Sequence, residues 1–377
     1  MEKTFSVMDH LSDWLTRPRL GDDKPPSFWP SAASAVDKDG NVFGSCRRQQ
    51  FLTYLKMLVN YSKGSDKRYE FWDYLIEDVE ATLTPTSKYM HWIWEQGELF
   101  ETHVLDLIKE SGLFLGTQIQ VYIPEFNVSG KIDAIAYNPY NQKKIICEVK
   151  SVYGYNADKV LGTDFDRKSG IAGEPRDKNL MQIALYQWHY GSKEDFDYAQ
   201  LIYGDRGTGK YAVYQVDTKP DGSINWRPIN PGLGKWTAAP YTIFEILNVY
   251  KKQQEDIDAG ILPPKDFSLI YSAEELTKLV SESFKIIEVD NEDKELNTFD
   301  SVAEMLEKGA GVKSRKFTVK SKGKMTIDKA TALQFVKYID RETNGGRKIK
   351  KPEAGNFNCI YCNNKYFCFN QDGTERK

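Results

Sequence analysis

Asp133, Glu148 and Lys150 are the residues of this chain whose types and spacing best suit chemistry. Asp133 lies in GKIDAIAY, and Glu148 and Lys150 lie in IICEVKS. Side chains two apart share one face of a strand, so Glu148 and Lys150 point the same way if that segment is extended. If the two segments pair as a hairpin, Asp133 stands beside Glu148. Ionisable groups in apolar strands are costly unless paired or metal-bound. Two carboxylates are hard oxygen ligands for Mg²⁺ or Mn²⁺. Such an ion generates a hydroxide nucleophile and neutralises charge developing on a phosphodiester. A lysine beside it positions or deprotonates the water and stabilises the phosphorane. The bland reading, a structural salt bridge on a half-exposed sheet, stays open, because an isolated D…ExK recurs by chance. Gly130, Ala134 and Ala136 leave room around Asp133.

Period and punctuation place these residues. Gln118–Ile123, Lys131–Tyr137 and Lys144–Lys150 are short, β-branched and bounded by turn residues, and NPYNQ links the last two as a hairpin turn. A long helix is expected from Tyr89 to Ser111, with apolar residues at helical spacing and Gly112 as a stop signal. Asp177–Tyr190 reads as an amphipathic helix with Gln182 and Tyr186 one turn apart on one face. Tyr198–Tyr203 and Lys210–Val216 read as strands. The expected core is therefore helix, three strands, helix, two strands. Further helices are expected over Arg47–Asn60, Lys67–Leu83 and 239–259; residues 1–45 read as an irregular lead-in and Gly154–Arg176 as a Gly-rich, charged loop.

The cysteines form a second constellation. Cys359-Ile-Tyr-Cys362 followed by Cys368 is a CxxC with a third thiol, and Cys46 is available as a fourth ligand for a tetrahedral site or a cubane. Ligand type alone leaves zinc, iron–sulfur and unrelated free thiols open. Cys147, inside the third strand, reads as a small core residue.

With GKID (Gly130–Asp133), EVK (Glu148–Lys150) and QIALY (Gln182–Tyr186) in this order, the chain resembles the PD-(D/E)XK nuclease superfamily in its RecB-like branch. The resemblance implies an α/β, restriction-endonuclease-like core with a helical periphery. It implies that Asp133, Glu148 and the Val149 carbonyl bind the catalytic metal, that Lys150 assists the water, and that Gln182 and Tyr186 orient the DNA strand or the lysine. The family also places a His or Glu on the preceding helix about four residues after a Gly. Gly97-Glu-Leu-Phe-Glu101 matches with Glu101, which shares a helical face with Val104, Leu105 and Ile108; His103 is the competitor on another face. The split cysteines resemble those of the iron–sulfur members, the CRISPR-associated exonuclease and AddB-type families. That likeness implies a 4Fe–4S cluster on Cys46, Cys359, Cys362 and Cys368 as a C-terminal staple, with zinc as the alternative.

The resulting organisation is an N-terminal helical region (1–87) with the first cluster cysteine, a nuclease core (88–260), an inserted acidic/basic α+β region (261–350) and a cysteine segment (351–377). The implied function is metal-dependent DNA hydrolysis, acting as an exonuclease on single strands or ends in recombination, repair or phage/CRISPR processing, with a helicase or other recombination protein as a partner. The alternative is a catalytically silent nucleic-acid-binding or assembly subunit that keeps the fold.

Composition agrees. The 377 residues carry 51 Lys and Arg against 54 Asp and Glu, a net charge of −3, which excludes a histone-like polycation but not a local basic patch. No run approaches the roughly 18 apolar residues of a membrane helix. No apolar run follows a basic start at the N-terminus, so a cytoplasmic protein is expected. The P-loop-like Gly204-Asp-Arg-Gly-Thr-Gly-Lys210 continues with Tyr211 rather than Ser or Thr and is followed by a strand, so it reads as a hairpin turn. Trp92 and Trp94, at helical spacing, read as core by default, with base stacking as the alternative. Thirteen Lys or Arg between Lys313 and Lys351 make either a phosphate-tracking surface or a solvated face.

Overall fold

The computed structural model describes residues 25–62, 70–162, 173–191, 195–230, 232–312, 315–322, 327–345, 347–372 and 374–376. The N-terminal stretch read for a leader, residues 67–69 of the second expected helix and part of the 154–176 loop lie outside the described residues. The chain divides into two units, Met1–Asp266 and Phe267–Lys377.

The first unit opens with a short antiparallel hairpin, β1 (Ser34–Val36) and β2 (Val42–Gly44), within the segment expected to be irregular. Helices α1 (Arg47–Ser62), α2 (Glu70–Ala81) and α3 (Lys88–Glu110) follow. Ser87 caps α3 by accepting from the Met90 N–H. Strands β3 (Phe114–Ile123), β4 (Val128–Tyr137) and β5 (Lys144–Val152) form a meander; α4 (Tyr155–Leu161) and α5 (Asp177–Gly191) then carry the chain to β6 (Phe196–Asp205). Strands β7 (Tyr211–Thr218), β8 (Ser223–Asn230) and β9 (Thr237–Thr242) precede α6 (Ile243–Ala259). Among the described residues these seven strands make one sheet in the order β3-β4-β5-β6-β7-β8-β9. Only β5 and β6 run parallel, as a helical crossover requires.

The expected helix–strand order holds as α3, β3–β5, α5 and β6–β7, and the structure adds α4, β8 and β9. Strands β8 and β9 contain Pro228 and Pro240, which weaken a strand reading because proline donates nothing to a ladder. Period two sorts the centre of the sheet. Ala134, Ala136, Ile145 and Cys147 pack with Leu105 of α3, so Cys147 is the core residue expected. Its thiol is pushed up to about 12 by burial, then by the Asp133 and Glu148 charges.

The second unit contains α7 (Ala273–Ser283), β10 (Phe284–Val289), β11 (Glu295–Phe299), α8 (Val302–Lys308), β12 (Lys316–Ser321) and α9 (Lys329–Asn344), followed by the single turns α10 (Phe357–Ile360) and α11 (Lys365–Cys368). Its strands form an antiparallel sheet in the order β11-β10-β12. Leu276, Val280, Phe284, Ile286, Phe335 and Val336 build its core. The C-terminal segment is tied to the start of this unit: Tyr271 N–H donates to the Ala354 carbonyl at 2.7 Å and Asn356 N–H to the Ser268 carbonyl at 2.9 Å. Arg315, from the basic stretch, is buried and bonds Glu288 at 2.9 Å and the Met305 carbonyl at 3.2 Å, so at this position the stretch is not a phosphate-tracking surface. Among the described residues no helix is long and apolar enough to cross a membrane.

Candidate active site

The site is built where β4 and β5 part. Their ladder runs from Tyr137↔Lys144 to Ala134↔Cys147. One step further, where Asp133 and Glu148 face each other, the Asp133 carboxylate replaces the strand as partner: Val149 N–H donates to Asp133 Oδ2 at 2.8 Å. Ladder register therefore places Asp133 beside Glu148 as the hairpin reading expects, with Lys150 on the same side as Glu148.

The three groups are a charge-linked set. Lys150 Nζ pairs with Glu148 Oε1 and lies 4.0 Å from Asp133 Oδ2. Glu148 is fully buried. Burial, opposed by Lys150 and reinforced by Asp133, pushes its carboxyl up to about 8. Burial also lifts Asp133 above the usual carboxylate range, against the pull of Lys150. Burial alone would lower the Lys150 ammonium, but the Glu148 and Asp133 carboxylates outweigh it and its pKa is raised.

Glu101 joins from α3. It is pushed up to about 7, first by burial and then by the Asp133 charge, and it shares a hydrogen bond with Asp133. The helical-face argument for Glu101 holds in position, and His103 is exposed. Sequence reasoning missed Gln118. It stands opposite Asp133 on β3, between the pairs Thr117↔Ala134 and Ile119↔Ile132. Its φ is 51°, and its Nε2 donates to Glu101 Oε1 at 3.4 Å. A left-handed glutamine inside a strand costs roughly 1–3 kcal/mol and marks a place where the surroundings dictate the backbone. No glycine or asparagine announces that conformation in the sequence.

Helix α5 supplies the wall. Gln182 Nε2 donates to Tyr186 Oη at 3.1 Å, both residues being buried. The Tyr186 hydroxyl is raised by burial and then by the Glu148 charge. Gly130 is needed here: a Cβ would stand 2.5 Å from Tyr186 Oη. Gly130, Lys131, Gln182 and Tyr186, with Trp29 and Tyr61, line a cleft of about 790 Å³.

The donors fit a hard divalent cation. Glu148 Oε2 and Gln182 Oε1 are buried oxygens without a hydrogen-bond partner, a state that costs about 1–3 kcal/mol each and that a cation relieves. Among the described residues no three His, Cys, Asp or Glu side chains close on one point, and the countercharge inside the set is the Lys150 ammonium.

The cysteines are arranged differently. Cys46 precedes α1 in the first unit, and burial raises its thiol. Cys359, Cys362 and Cys368 lie on or beside the single turns of the second unit. Cys359 is buried and its Sγ donates to the Phe267 carbonyl at 3.4 Å. None of the four is in a disulfide, and among the described residues no three His, Cys, Asp or Glu side chains are grouped to hold a metal ion. Trp94 departs from its core reading at 49% exposed, because Leu105 alone is buried among the described residues of α3. The P-loop-like segment is the β6–β7 turn, closed by Asp205, which accepts from Gly207 N–H at 2.9 Å and Thr208 Oγ1 at 2.6 Å. No protein family, curated protein or solved structure matches the chain.

Proposed function

We propose that the chain is a divalent-metal-dependent nuclease that hydrolyses DNA phosphodiesters, built on a restriction-endonuclease-like core of the RecB-like kind. One observation carries the proposal. Where β4 and β5 separate, register gathers two buried carboxylates and a lysine, and Glu148 Oε2 and Gln182 Oε1 are left without partners. Both oxygens are acceptors that a bound cation would satisfy.

Asp133, Glu148 and the Val149 carbonyl would hold Mg²⁺ or Mn²⁺, with Glu101 at its edge. Bound there, the ion supplies a more acidic water and neutralises charge on the phosphoryl oxygens. Lys150 orients the attacking water and places positive charge where the phosphorane becomes anionic. Without a cation Glu101 and Glu148 are raised to about 7 and about 8, so a cation that binds there near neutrality would displace protons from them. Tyr186 and Gln182 form a rigid pair at the cleft wall that orients the strand. Exonuclease mode and DNA over RNA rest on the resemblance. So does a structural iron–sulfur or zinc site on the thiols.

The test is incubation of anaerobically purified chain with end-labelled single- and double-stranded DNA in Mn²⁺, Mg²⁺ or EDTA. Metal-dependent cleavage that falls at least ~10³-fold in Asp133→Ala is expected, since metal and charge stabilisation both go. Cleavage unchanged in that variant overturns the proposal. Tight DNA binding without cleavage by the wild type favours the silent-subunit alternative.

A further inference from the structure

A second groove, of about 530 Å³, lies in the first unit and takes no part in the carboxylate set. Its lining includes Tyr89 and Trp92 of α3, Tyr153 just past β5, and Arg206 of the β6–β7 turn. Tyr89 is 69% and Tyr153 59% exposed. Tyr89, Trp92, Ile93 and Gln96 recur at helical spacing, so one side of α3 forms a continuous wall.

The cation in this groove is built in. Arg206 stands over the Tyr153 ring, 5.6 Å from its centroid. Its Nη1 donates to the Ile93 carbonyl at 3.1 Å and to Ser151 Oγ at 3.4 Å. Gly204 permits this arrangement: a Cβ there would stand 1.9 Å from Phe100 Cζ, so any other residue would push α3 away from the end of β6. Neither bond uses a carboxylate, so the positive charge is held in place but not neutralised by them.

The groove adjoins the site along the chain. Tyr153 follows Lys150 by three residues, a span of about 10 Å along extended chain and a few nucleotides at about 3.4 Å per stacked base. Exposed aromatic faces with an anchored guanidinium are what unpaired bases and their phosphates require. A duplex hides its base faces in its own stack, and an apolar peptide has no use for the fixed cation.

We infer that Tyr89, Trp92, Tyr153 and Arg206 form a stacking subsite for the unpaired bases of single-stranded nucleic acid, with Arg206 on a phosphate, leading into the Asp133–Glu148–Lys150 site. It rests on the nuclease reading only for where the strand leads, not for binding itself.

The test is fluorescence anisotropy of the full chain in EDTA, with 5′-fluorescein-labelled (dT)₂₀ and a blunt duplex of equal length as probes. The single strand should bind more tightly than the duplex. Tyr153→Leu and Tyr89→Leu should each weaken (dT)₂₀ binding about 5- to 150-fold, the range for losing one stacked base. Tyr153→Phe, which keeps the ring, should bind like the wild type. Arg206→Ala should weaken binding and lower the salt slope by about one charge. Duplex bound as tightly as single strand, no binding by the wild type, or wild-type binding by both leucine variants overturns the inference. Cleavage does not enter this readout: intact binding without metal-dependent cleavage would end the nuclease reading and leave the subsite standing.

Discussion

The β4–β5 hairpin holds Asp133, Glu148 and Lys150 by ladder register, whereas the C-terminal segment carries Cys359 and Cys368 on two single-turn helices with Cys362 between them. A ladder leaves little freedom, because slipping one residue turns every side chain to the other face. Once Ala134 pairs with Cys147 and both pack beneath Leu105, Asp133 and Glu148 have one place to go. Burying those charges costs several kcal/mol per ion, and the surrounding apolar core supplies the rigidity to impose it. Single turns impose no such geometry. Thiols on short irregular segments are commonly gathered by the metal itself, which supplies the ordering free energy. The preorganised carboxylate set and the thiols should therefore respond differently to substitution.

The largest expected effect is at Lys150. Lys150→Met leaves Glu148 buried without its countercharge and should cost about 3–5 kcal/mol in urea denaturation at pH 9. At pH 5, where Glu148 is protonated, the loss should be much smaller. Equal losses at both pH values would show that the ammonium does not balance Glu148.

The pH dependence of the wild type comes next. Glu101 and Glu148 rise from 4.5 to about 7 and about 8 in the fold. For acids raised on folding, the favourable contribution is complete below about pH 4.5 and is lost as pH climbs through 7 and 8. Thermal denaturation should show the melting temperature falling over that window and levelling above it. Glu148→Gln should flatten the fall, and a melting temperature that rises from pH 5 to 8 would contradict the assignment.

The smallest effect on the hairpin should come from the thiols. Elemental analysis of anaerobically purified wild type should find iron or zinc, and Cys359→Ser should remove it yet leave Mn²⁺ affinity at the carboxylates as it was. A wild type carrying neither iron nor zinc would remove the metal role from the C-terminal cysteines.

Legibility in the sequence follows the same division. GKIDAIAY and IICEVKS were legible because strand parity and a turn between them fix which residues meet. Glu101 was legible through the resemblance, its helical face choosing it over His103. Gln118 was not, because its left-handed backbone is dictated by neighbours and not by its own type. Arg206 was hidden inside a P-loop-like string, and its role depends on Phe100 settling over Gly204, a packing event with no one-dimensional trace. Strands β8 and β9 carry prolines that argue locally against the state their neighbours impose.

The most direct test of the carboxylate site is calorimetric titration of the full chain with Mn²⁺ at pH 7.5, in buffers of different ionisation enthalpy. Glu101 and Glu148 are partly protonated there, so the account predicts one Mn²⁺ per chain bound with proton release, abolished in Asp133→Asn and Glu148→Gln. Mn²⁺ binding without proton release, or binding undiminished in both variants, would place the cation elsewhere and contradict the account.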